Sequence, residues 1–268
     1  MIESPEQFVS NLSEWQGASF SKLSGGLNNH VWKVTKGKKS AILKIDYSPR
    51  QTPFISRFEE KEIQSFAYKN KLAPKVIFAK KGVYFTEYVE GSVGSKEILK
   101  KDNNLEAIAI SLRKLHALPF VGRKFNAKLA AKKYYNTPGV VKSNIEKKCL
   151  KIIDETPLSS NLCLCHNDLV ANNFIFTPKA LLIDWEYSSV NDPFFDLATV
   201  IEHHELTAKE TKLFLDAYTL KKNQCWKSNL ERQRRLYLAI FYLWMTHRHD
   251  INHSEKENIA TRITTIDL

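Results

Sequence analysis

Leu164–Leu197 reads LCHNDLVANNFIFTPKALLIDWEYSSVNDPFFDL, and three of its side chains are spaced as phosphoryl transfer needs them. Asp168 comes first, Asn173 five positions later, and Asp184 eleven beyond that, at the end of the apolar run ALLID. FIF, at 174–176, is a second short apolar run, so the stretch reads as loop, strand, turn and strand. That hairpin brings Asn173 and Asp184 side by side, where two side-chain oxygens can hold magnesium. Asp168 is then the candidate catalytic residue, the acid that orients an attacking hydroxyl. Each fragment alone is a commonplace of turns; the set together is specific.

Such chemistry needs a clamp for ATP upstream, and Lys22–Val34, KLSGGLNNHVWKV, followed by Ser40–Asp46, SAILKID, supplies the residue types. Gly25 and Gly26 form a turn between alternating stretches that lets backbone N–H groups approach phosphate oxygens, assisted by Ser24 and Asn29. No G-x-x-x-x-G-K-[ST] word occurs, so this is not a Walker loop. Lys44 lies inside the apolar strand AILKI, where an ammonium needs an anionic partner, and the α- and β-phosphates of ATP are one. The acidic helix Phe58–Tyr68 follows, with Ile63, Phe66 and Ala67 on its buried face. Glu60 lies three and seven positions before Ile63 and Ala67, on that same face, and is the expected holder of Lys44.

The words CHND at 165–168 and IDWEYSS at 183–189, then Asn191 and the pair Phe195-Asp196, resemble the choline/ethanolamine kinases. More widely they resemble the aminoglycoside phosphotransferase group of protein-kinase-like small-molecule enzymes. Arg57-x-x-Glu60 is similar to the family's R-x-x-E, and the Asn between His166 and Asp168 favours a choline-type over a thiamine-type acceptor. The resemblance implies an α+β, protein-kinase-like fold with a small β-rich lobe at 1–89 and a larger, mainly helical lobe at 90–268. KGVYFTEYVEGSVG reads as a strand, Val83–Val89, then a break at Gly91–Gly94; the resemblance implies ATP and Mg2+ as cofactors and that this hinge contacts adenine through backbone groups, with Glu87 and Val89 among the nucleotide-binding residues. It also implies that His166 packs inward as a structural residue. Asp196 reads as a helix-start and loop-bracing acid.

For the acceptor, a quaternary ammonium has no N–H to donate, so aromatic faces and a carboxylate must recognise it. Glu186 and Tyr187 directly follow Asp184 and Trp185, and Glu202 lies on the helix after Asp196. The last long helix carries Tyr237, Phe241 and Trp244 at i, i+4, i+7; the first two read as core and Trp244 as the substrate-facing ring. The expected reaction is phosphorylation of a small cationic alcohol, choline or ethanolamine, with thiamine or an aminoglycoside as alternatives in the same fold. The reading from another class is a non-catalytic nucleotide- or RNA-binding protein, disfavoured because Lys44, Asp168, Asn173 and Asp184 are all present.

Composition sets outer bounds. The chain has 268 residues, 43% of them hydrophobic, and a net charge of +11. Between Lys96 and Lys151 there are 14 Lys/Arg against four acids, yet few aromatics are interleaved, so the region reads as a solvated face with no nucleic-acid partner expected. No run of about 18 apolar residues occurs, and the first fifteen residues carry acids where a leader would be basic, so a cytoplasmic location without a membrane span is expected. Cys163 and Cys165 alternate in a strand and no C-x-x-C is present, so the thiols read as core residues and the spacing gives too few ligands for zinc.

Overall fold

The computed structural model describes residues 4–23, 29–46, 56–120, 122–140, 142–220, 227–248 and 253–265. In chain order the elements begin α1 (Pro5–Ser10), β1 (Ser19–Leu23), β2 (Asn29–Lys36), β3 (Lys39–Asp46), α2 (Arg57–Lys69), β4 (Val76–Lys80), β5 (Val83–Glu87), β6 (Ser92–Val93) and α3 (Lys96–Leu99). They continue with α4 (Asp102–His116), α5 (Ala127–Tyr135), α6 (Asn144–Glu155), β7 (Cys163–Cys165), β8 (Phe174–Phe176), β9 (Ala180–Leu182) and β10 (Ser189–Asn191). The remainder is helical: α7 (Pro193–His203), α8 (Ala208–Thr219), α9 (Lys227–His247) and α10 (His253–Thr265). Two compact units result, Met1–Leu99 with Ala171–Ser188, and Lys100–Val170 with Ser189–Leu268. The class is the expected α+β of the protein-kinase-like fold.

The first unit is built on an antiparallel sheet in the order β1-β2-β3-β5-β4. Period-two alternation sorts β3 into two faces. Ala41, Leu43 and Ile45 are buried against Phe8, Val9, Trp15, Val34 and Phe85, each large side chain contributing about 1.5–3 kcal/mol on burial. Lys44 therefore points to the opposite face. On α2, Ser56 and Glu59 form a reciprocal capping box that fixes the helix start. The buried residues Arg57, Glu60, Ile63, Gln64 and Ala67 recur at helical spacing and make one inward stripe. The strand expected over 83–89 ends at Glu87.

The same unit holds the hairpin read from FIF and ALL, with β8 and β9 paired antiparallel, Phe174 opposite Leu182. β6 adds a third strand beside β8. This approach explains Gly94: a side chain there would run into the Ala171 carbonyl oxygen.

The second unit is mainly helical. α9 packs against α5, α6, α7 and α10, and α4 lies along α8. Its two strands, β7 and β10, pair antiparallel with Cys165 opposite Ser189. No helix among the described residues is long and apolar enough to cross a membrane.

Candidate active site

In the first unit, Lys44 Nζ forms an ion pair at 2.8 Å with Asp184 Oδ1. Asp184, two residues past the end of β9, holds a left-handed backbone, φ 65 and ψ 68. For a non-glycine residue this costs roughly 1–3 kcal/mol, least for residues such as Asp, and concentrates at functional sites. One residue earlier, Ile183 N–H donates to the Asn173 carbonyl at 3.0 Å. The hairpin thus seats Asn173, which is buried, beside the strand end that carries Asp184. An amide oxygen and a carboxylate are hard oxygen donors of the kind magnesium takes, so this pair fits the ion.

The sequence reading pairs Lys44 with Glu60; in the structure the ion pair of Lys44 is with Asp184, and Glu60 accepts from Arg57 Nη1 at 2.6 Å. The physical reason is local. Arg57 lies one helical turn before Glu60 on the same buried stripe, where the i,i+3 spacing brings the two side chains together. Arg57 is the hub of this half: it also donates to Asp46, to Asn29 Oδ1 at 2.6 Å, and lies over the Tyr84 ring at 5.2 Å. Burial pulls the guanidinium pKa down, but Glu60, Asp46 and then Glu186 pull harder in the other direction, and it lies above its ordinary value. Asn29 is therefore a buried acceptor for Arg57. Glu186 is buried within the field of Arg57, and Tyr187 is half-buried. Glu87 is exposed, its N–H donating to Lys75 O at 2.9 Å, and Val89 is half-buried. Gly25 and Gly26 lie outside the described residues.

In the second unit, the loop carrying Asp168 is braced from both ends. The N–H groups of His166 and Asn167 donate to Asp196 Oδ2 and Oδ1, each at 2.8 Å, and His116 Nε2 lies 3.1 Å from the same Oδ2. Asp196 is thus a loop brace, as read; the N-cap of α7 is Asp192, which accepts from Phe194 N–H. His166 is fully buried. Asn167 has φ 65, and its amide donates to Ser189 Oγ and accepts from Asn191 Nδ2, both at 2.8 Å. Beyond Asp168, His204 Nε2–H donates to Leu169 O at 2.8 Å. Asp168 itself is half-buried. Burial, and then the charge of Asp168, push the Tyr134 and Tyr237 phenols well above their ordinary value.

The acceptor candidates divide. Tyr237, Phe241 and Trp244 form a continuous stack, with centroids 5.6 and 5.7 Å apart at 11° and 14°. Tyr237 is buried and bonded to His203 Nδ1 at 2.9 Å; Trp244 is half-buried with the Arg248 guanidinium 5.6 Å from its ring centre. Glu202 needs correction. Its carboxylate is held by both Arg234 and Arg262, on the wall of a cleft of about 590 Å3 that these two arginines also line. A carboxylate shared by two guanidiniums ties α7 to α9 and α10 and has its charge already met, so it is not open to a cationic substrate. Sequence reading quoted Arg57 in R-x-x-E and Asn191 after IDWEYSS without giving either a role, and it missed His116 and His204, which are recognisable only by their long-range partners.

Residues 19–228 match the model of the phosphotransferase enzyme family. Protein LicA of Haemophilus influenzae is 29% identical over 245 residues, which span 84% of this chain and 72% of that protein. Ethanolamine kinase 2 of Mus musculus is 23% identical over 77% of this chain and 60% of its own length. The crystal structure of choline kinase LicA from Streptococcus pneumoniae superposes with a TM-score of 0.80 at 24% identity, covering 97% of this chain and 96% of that one. The chain belongs to the phosphotransferase enzyme family, as a small-molecule kinase that resembles the choline/ethanolamine kinases.

Proposed function

We propose that this protein transfers the γ-phosphoryl group of ATP to the hydroxyl of a small cationic alcohol, choline or ethanolamine, with magnesium as the second cofactor. The observation that carries the reading is the Lys44–Asp184 ion pair at the end of a hairpin that also seats Asn173. Asn173 and Asp184 would hold the ion, which neutralises charge on the β- and γ-phosphates when bound. Lys44 supplies a cation for the nucleotide phosphates, and its present partner Asp184 keeps it in place without them. Asp168 orients the acceptor hydroxyl and takes its proton as the O–P bond forms. The brace around His166 and Asn167 fixes the backbone from which that carboxylate projects. The lobe 1–89 is assigned the nucleotide, with Glu87 and Val89 at the adenine, and 90–268 the acceptor.

For the acceptor, the names of the related proteins and the Tyr237–Phe241–Trp244 stack support a cation recognised by ring faces. Glu186 and Tyr187 are the remaining acceptor candidates next to Asp184. The deciding experiment is ADP release measured over choline, ethanolamine, thiamine and an aminoglycoside. A kcat/KM for choline or ethanolamine at least about tenfold above the others supports the assignment. A preference for thiamine or an aminoglycoside replaces the acceptor and leaves the phosphotransferase chemistry standing.

A further inference from the structure

The acceptor ring stack and the loop that carries Asp168 are fastened to one short stretch, the C-terminal end of α7. His203, its last residue, is half-buried, with Nδ1 at 2.9 Å from the Tyr237 hydroxyl and its ring edge-on to Phe241 at 5.2 Å. His204 follows, buried, and donates from Nε2 to Leu169 O at 2.8 Å, one residue past Asp168. The two imidazoles stand 5.0 Å apart and nearly perpendicular, at 79°. Successive side chains on a helix point about 100° apart, so adjacent histidines can serve two different partners. The helix end is itself fixed. Glu205 takes a left-handed backbone, φ 50; its N–H donates to Glu202 O at 3.3 Å, and Leu206 N–H donates to Ile201 O at 3.0 Å. These two bonds are the common closure of a helix that ends in a left-handed residue, and they satisfy its last carbonyls. α7 also packs along α9, the helix that carries the three rings.

We propose that His203 and His204 are positioning residues that fix the separation between the ring faces and the Asp168 carboxylate, and so set how many carbons the acceptor carries between its cationic nitrogen and its hydroxyl. This rests on the cationic-alcohol reading given above. Ring faces alone grip a small ammonium group whatever chain follows it. Discrimination by length requires a second anchor at a fixed distance, because a hydroxyl held short of or beyond the base loses its productive alignment. Here the distance is carried by two hydrogen bonds and one pair of touching rings. His203 acts through Tyr237, and His204 through the backbone at Leu169.

The test uses trimethylammonium alcohols and primary-amine alcohols with two, three and four carbons between nitrogen and hydroxyl, on the full chain and on amide variants that keep or lose each bond. An Asn amide ends about where imidazole Nδ1 lies and a Gln amide about where Nε2 lies. His203→Asn and His204→Gln therefore preserve the two bonds, while His203→Gln and His204→Asn remove them. Wild type should favour a two-carbon alcohol over the next homologue by at least about tenfold in kcat/KM. His203→Gln should raise the KM of that alcohol about tenfold with kcat held, because the rings lose their tether; His204→Asn should lower kcat about tenfold or more with KM held, because the loop does. In both, the length preference should fall to about threefold or less, and His203→Asn and His204→Gln should recover most of it. A wild type without length preference overturns the inference. So does a preference unchanged in both bond-breaking variants, or an equal loss in all four, which would make the histidines packing residues; each of these leaves the cationic acceptor standing. A wild type that turns over neither series overturns the acceptor reading and this inference with it.

Discussion

Lys44 and Asp184, 140 positions apart in the chain, meet at 2.8 Å, the lysine 15% and the acid 27% exposed at the side chain. A strand cation and a hairpin anion are thereby held together before any phosphate arrives. The pair also sets what each deletion should do.

Asp184→Ala removes a charge that packs against no core, so the fold should persist while turnover is lost. A fall in kcat of about 10²–10³-fold is expected, with a thermal midpoint within a few degrees of wild type. Near-normal kcat would remove Asp184 from the magnesium site.

Lys44→Met keeps the bulk of the side chain and deletes its cation. The expected loss is about 10- to 10³-fold in kcat/KM for ATP, with the acceptor KM little changed. Steady-state kinetics at varied ATP and fixed acceptor check this, and unchanged ATP kinetics would place the clamp elsewhere.

Arg57→Met removes the cation shared by two carboxylates whose side chains are 6% and 0% exposed, Asp46 and Glu60. Breaking a buried pair from one side costs about 3–5 kcal/mol. Urea unfolding should show that loss, and a change below about 1 kcal/mol would mean the cluster rehydrates freely.

Trp244→Leu and Glu202→Gln should now separate. The first deletes a ring face and should raise the choline KM by roughly 2- to 30-fold, with the ATP KM unchanged. The second removes the anion shared by Arg234 and Arg262 and should act on stability, by roughly 1–3 kcal/mol, less than a fully buried pair because both arginines keep water access. A choline KM that rises in Glu202→Gln without loss of stability would restore Glu202 to the acceptor site.

Burial, and then Glu146, push the Cys149 thiol up to about 12. A raised folded pKa contributes stability that is intact below the unfolded thiol range and is lost as pH climbs from about 9 toward 12. At pH 8 the folded protein should therefore leave Cys149 unlabelled by iodoacetamide while denatured chain is labelled; rapid native labelling contradicts the burial.

The sequence was most legible where a signal is local. The apolar run AILKI marked the strand that carries Lys44 and its need for an anionic partner, and the apolar runs FIF and ALLID foretold the hairpin that joins Asn173 to Asp184. It was least legible where partners are remote. Glu60 was correctly put on the inward face of α2, but its ion-pair partner Arg57 also binds Asn29, 28 positions away. Glu202 looked like an open acid because Arg234 and Arg262, 32 and 60 positions on, carry no local mark of the contact. Charge type can be read from a chain; charge already spent on a distant neighbour cannot.

Asn167 sets a narrow chemical specification for the middle letter of the CHND word. Its backbone angle asks for a residue that tolerates the left-handed region, which glycine, asparagine and aspartate do. The side-chain hydrogen bonds given to Ser189 and taken from Asn191 ask for a donor and an acceptor on one short side chain. Glycine meets the first demand alone. Ionised aspartate lacks the donor. Asparagine satisfies both, so the letter between His166 and Asp168 encodes the curvature of the loop and its tether to β10 in a single side chain.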